Sequence, residues 1–112
     1  MLVARGDIIV VWWPERGRAT KEHVAIVLET TAAYDDEVLL AVGTSQKNIS
    51  GPSVEVRWTG EGYSWVWHEW PKGSTVTTHF YKAFVGLVPV ERIRRKIGVM
   101  PQSKVDEIVD LF

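Results

Sequence analysis

Apolar positions along the chain fall into short runs separated by polar, glycine- or proline-bearing turns, which is the spacing of a β-rich fold. DIIVVWWP (7–14) is continuously apolar and β-branched until Pro14 stops it, which predicts a buried strand. ERGRATKE (15–22) is a polar loop punctuated by Gly17, and HVAIVLE (23–29) is a second apolar run. After the polar turn TTAAYDDE (30–37), EVLLAVGTSQ (37–46) predicts a third strand that ends in small polar residues. KNISGPS (47–53) reads as a Gly/Pro turn. VEVRW (54–58) is a fourth strand, with the alternation of a sheet that keeps one wet face, and TGEG (59–62) turns again.

In YSWVWHEWPKG (63–73), an extended backbone puts Tyr63, Trp65 and Trp67 on one face and Ser64, Val66, His68 and Trp70 on the other. STVTTHFYKAFVGLV (74–88), rich in β-branched and aromatic residues, predicts one or two further strands. The period then changes. In MPQSKVDEIVDLF (100–112), Val105, Ile108, Val109 and Phe112 fall at i, i+3, i+4 and i+7, and Ser103 with Asp106 has the spacing of a capping box behind Pro101. This predicts a C-terminal amphipathic helix of about ten residues, roughly 15 Å long. The expected fold is therefore mainly β: five to seven short strands in a small, strongly bent antiparallel sheet or SH3-like barrel, closed by a C-terminal α-helix, with 1–112 as a single domain.

Composition narrows the function classes. Apolar residues make up 46% and charged residues 24% of 112 positions, ordinary for a globular protein. A net charge of −1 gives no whole-molecule attraction to nucleic acid, so any polyanion site must come from local clustering. The absence of cysteine excludes disulfides and thiolate metal sites. No apolar run approaches the roughly 20 residues that span a bilayer, so no membrane partner and a cytoplasmic location are the expectation. Six tryptophans are many for so small a core, since each needs a large volume and a partner for its indole N–H. Some of them are expected to line a groove or an interface.

Two basic clusters stand out. Arg16, Arg18 and Lys21 lie in six residues without an acid, and ERIRRK (91–96) holds Arg92, Arg94, Arg95 and Lys96. Either cluster is a solvated surface or an anion site in which arginine holds a phosphate bidentately. His23 follows the first cluster at the start of a strand, as a structural edge histidine or as an acid/base group worth typically about 10² to 10⁴ in rate. His68 and His79 are the other histidines. The three share no metal-ligand spacing and no evident carboxylate partner, so neither a metal nor another cofactor is expected. GTSQK (43–47) ends a strand with Thr44, Ser45, Gln46 and Lys47, which either present polar groups to a ligand or satisfy a turn. The chain has no GxSxG elbow, P-loop or GxGxxG.

The order RGDIIVVWWP, polar loop, HVAIVLE, AVGTSQK, PSVEV and RKIGVMPQSKVDEIVDLF resembles the MazF/PemK family of toxin endoribonucleases. The likeness runs over nearly the whole chain and is poorest at 60–73. It implies an SH3-like barrel in a two-fold dimer and the toxin of a type II toxin–antitoxin system, held by a cognate antitoxin protein. The implied reaction is metal-independent cleavage of single-stranded RNA, with the substrate's 2′-OH attacking the adjacent phosphate. Thr44 matches the family threonine. The family arginine of its second strand does not match, because His23-Val24 stands there, and His79-Phe80 stands near where many members carry an acid followed by glutamine. The catalytic set expected here is thus Thr44 from the resemblance, His23 as acid/base in place of the family arginine, and Arg18, with Arg16 or Lys21 as alternatives, to stabilise charge. RNA contacts are expected from Arg16, Lys21, Ser45, Gln46, Lys47, His79, Trp65 and Trp67. The alternative is a catalytically altered barrel that binds RNA or a protein through its aromatic face, with Trp58 and Tyr63 joining the tryptophans.

Overall fold

β-Branched runs bounded by turns give strands wherever both faces can be covered, and six such runs pair here. The computed structural model describes residues 3–13, 21–30, 37–44, 49–57 and 77–111. Its strands are β1 (Asp7–Trp13), β2 (Lys21–Thr30), β3 (Glu37–Thr44), β4 (Ser53–Arg57), β5 (Thr77–Pro89) and β6 (Ile93–Val99), and its one α-helix among the described residues is α1 (Gln102–Val109). Neighbouring strands are antiparallel and lie in the order β4-β5-β3-β2-β1-β6. Among the described residues the sheet is open, with β4 and β6 at its edges.

The alternation along each strand divides the core in two. Ile8, Val10, Ile26 and Phe80 pack with Val105 and Ile108 of α1 on one face. Ile9, Val11, Ala25, Val27, Leu40 and Val42 form a second cluster on the other. β1 is covered from both sides, which is why its sequence is apolar without alternation. β4 alternates as expected, with Val56 buried and Glu55 exposed.

β5 is one long strand rather than two. Its register against β3 runs from Pro89–Glu37 to Val85–Ala41, then resumes at Phe80–Gly43 and His79–Thr44. Residues 81–84 on β5 thus face the single residue Val42, three more than regular pairing allows, a bulge that bends the strand and hands it over to β4. At the open end of the β4–β5 pair, Arg57 lies opposite Thr77, so residues 58–76 leave and return between two paired positions.

Two features depart from the sequence reading. β6 was not anticipated, because its three consecutive cations hide its buried positions, Ile93 and Ile97, and two register shifts against β1 break the two-residue period. The capping box is also absent. Pro101 caps α1 without a side-chain hydrogen bond, and Asp106 instead accepts from Gln102 Nε2 (2.8 Å) and pairs with Arg5 (3.5 Å). Val105 and Ile108 are buried as the helical period requires, over eight residues rather than ten, and Phe112 lies outside the described residues.

The RGD motif is a structural clasp. Gly6 takes φ +91°, a conformation that favours glycine; its N–H donates to Val27 O (2.7 Å) and its carbonyl accepts from Met100 N (2.7 Å). Asp7, 3% exposed, accepts from Ala4 N (2.8 Å) and pairs with Lys96 Nζ at 3.1 Å, tying the start of β1 to β6. Lys96→Met leaves that buried carboxylate without its charge partner. It is expected to lower unfolding stability by about 2 kcal/mol, more than any of the exposed pairs would cost. Urea denaturation measures it; an unchanged midpoint would mean the clasp contributes nothing.

Candidate functional site

The polar positions that the chain spreads over β2, β3, β5 and β4 meet at one end of the sheet. His23 lies three residues into β2, opposite Val11 of β1, and is half-buried. Its Nδ1 is 3.2 Å from the carbonyl oxygen of Gly43 on β3. A carbonyl only accepts, so Nδ1 carries the proton in this contact, and in the neutral ring the basic lone pair is on Nε2. The ring is thereby oriented by backbone, as a general base requires.

Thr44 follows Gly43 at the end of β3 and stands opposite His79 of β5; His79 in turn stands opposite Glu55 of β4. By the two-residue period, His23 shares a face with Ala25 and Val27, and Thr44 with Leu40 and Val42. The row His23, Thr44, His79, Glu55 therefore crosses four adjacent strands on the face away from α1.

His79 is 6% exposed, and its Nε2 is buried without a hydrogen-bond partner among the described residues. Such an atom costs about 1–3 kcal/mol relative to a satisfied one. Tyr81, two residues on, lies 6.1 Å from the His79 ring and meets Phe84 edge-on at 6.0 Å, so one side of the row is walled by aromatic rings. His79 sits behind the surface rather than on it, whereas Thr44 and His23 are half-buried and Glu55 is exposed.

Gly43 is indispensable to this packing. A Cβ there would lie 2.4 Å from Thr78 Cγ2 and 3.1 Å from both Phe80 Cε1 and Val24 O. Only a residue without a side chain lets β5 approach closely enough to set Thr44 beside His79.

His23, Thr44 and His79 are thus brought together from sequence positions far apart. Lys21 begins β2, two residues before His23. Arg16, Arg18, Ser45, Gln46, Lys47, Trp65 and Trp67 lie outside the described residues, as do Trp58 and Tyr63. Glu55 was not singled out from sequence, although the alternation of VEVRW already put it on the wet face. Among the described residues no group of three His, Asp or Glu side chains is arranged to hold a metal ion, and no helix is long and apolar enough to cross a membrane. No family model matches the chain, and no curated protein matches it.

Proposed function

We propose that this protein is a MazF/PemK-like toxin, an endoribonuclease that cleaves single-stranded RNA by attack of the substrate 2′-OH. The observation that carries the reading is the convergence of His23 and Thr44 at one end of the sheet, with the His23 ring fixed by Gly43 O. His23 Nε2 accepts the 2′-OH proton, the new bond forms between O2′ and phosphorus, and the bond from phosphorus to the 5′-oxygen breaks as that oxygen takes a proton from water. The products are a 2′,3′-cyclic phosphate and a 5′-hydroxyl end. Thr44 Oγ1 donates to a phosphate oxygen, and Arg18 of the basic loop offsets the charge that develops there. His79 packs beside Thr44 on the neighbouring strand.

The same reading carries further proposals. The bulge of β5 is the kind of bend by which a small sheet curls, which supports an SH3-like barrel. A two-fold dimer, a cytoplasmic location and neutralisation by a cognate antitoxin follow from the resemblance to the family.

The test is incubation with long single-stranded RNA in EDTA, together with a substrate whose scissile nucleotide is 2′-deoxy. Cleavage that leaves cyclic phosphate ends and stops at the deoxy position is expected. Intact RNA across varied sequences, from folded protein, would overturn the reading and leave a binding domain.

A further inference from the structure

On the opposite face from the His23 row, Trp12 of β1 is 41% exposed, and the Arg94 guanidinium of β6 lies over its ring, 5.1 Å from the centroid. Trp12 directly follows Val11, the register partner of His23, so the indole and the imidazole sit on two faces of the same sheet end. Arg92 and Arg95 are exposed on either side of Arg94, and Glu91 is the only acid in 90–96. Lys96, the fourth cation of that run, is held by Asp7.

We infer that Trp12, Arg94 and Arg92 form a second single-strand RNA platform, on which a base of the substrate outside the cleaved position stacks while its phosphates meet the arginines. The inference rests on the nuclease reading for the identity of its ligand. A large indole left in water beside a guanidinium, within a run of net positive charge, offers what single-stranded nucleic acid takes without sequence preference. A π-face receives any base, and a cation receives its backbone. Charge complementarity favours RNA over an acidic-poor protein surface, because three arginines crowd one edge of a chain whose net charge is −1. β2 and β6 are separated by β1 alone, about 10 Å at ordinary strand spacing, so the row and the platform lie within the span of one short strand of RNA.

The platform is tested with a fluorescent 2′-O-methyl single strand, which lacks the nucleophile and reports binding alone. Trp12→Leu, Arg94→Ala and Arg94→Lys are compared with the parent over a range of salt, with melting temperature and oligomeric state measured alongside. Trp12→Leu is expected to weaken binding about tenfold with the salt slope kept. Arg94→Ala is expected to weaken it and to lower the slope by about 1, and Arg94→Lys to restore the slope but not the full affinity. Affinities and slopes equal to the parent's, in folded variants, would overturn the platform, as would variants that only dissociate a parental dimer. Cleavage of ordinary RNA separates the two readings. A parent that cuts while all three variants bind normally removes the platform alone, and a parent that binds through Trp12 and Arg94 without cutting removes the nuclease alone.

Discussion

A His23→Ala protein is expected to cleave RNA at least about 10²-fold more slowly than the parent while binding it with similar affinity. The half-buried ring lies 3.2 Å from Gly43 O and belongs to neither core cluster, so its removal opens no hole in the core. The fold should therefore survive, and the loss should appear in the chemical step. His23→Asn keeps a donor at the Nδ1 position for Gly43 O but has no basic nitrogen, and it should be as slow as the alanine variant. Single-turnover rates with saturating enzyme, set beside affinity for a non-cleavable strand, make the comparison. A rate equal to the parent's would place the base elsewhere, and a fall in affinity that accounts for the whole loss would make His23 a contact residue only.

Gly43→Ala acts on the same end of the sheet from behind. The new methyl would meet Thr78 Cγ2 at 2.4 Å and two further atoms at 3.1 Å, one of them the backbone oxygen of Val24. β-Branched Thr78 has little rotamer freedom in which to withdraw, so β5 must shift. Overpacking of this kind costs about 1–3 kcal/mol, a fall in melting temperature of about 4 °C or more for a domain of this size. Displacing β5 also separates Thr44 from His79, and moving the Gly43 carbonyl releases the His23 ring, so cleavage should fall with stability. The double variant Gly43→Ala/Thr78→Ser removes the closest methyl while keeping the hydroxyl, and it should recover most of the loss. Calorimetry of the single and double variants decides. Equal melting temperatures for Gly43→Ala and the parent would mean that the close approach is not required.

Strands β1 to β4 were legible because each is an apolar run ended by a turn, a purely local signal. Pro14 after Trp13 and the Gly51-Pro52 turn before Ser53 set their limits. β6 was not legible. At a bulged edge strand the inward positions no longer fall at every second residue, and Arg94, Arg95 and Lys96 read as a charge cluster instead. The amphipathic period of α1 was reliable, whereas its cap was not, since Asp106 spends its oxygen on Gln102 and Arg5. At the site, His23 and Thr44 drew attention by residue type alone. Their meeting with His79 and Glu55 depends on where β5 slips its register, a non-local fact that no window of sequence contains. The exposure of Trp12 belongs to the same class: its run looked wholly buried, and only the pairing with β6 puts Arg94 across its ring.

The pairing of Arg57 with Thr77 makes residues 58–76 an exchangeable cassette. Both its ends are set by the β4–β5 ladder, and the cost of closing a loop changes by only about 0.6 kcal/mol when its length doubles or halves. A stretch of different length and composition between the same two positions is thus expected to leave His79 and Glu55 in register. Under the nuclease reading, recognition can be altered there without touching the strands that position His23 and Thr44.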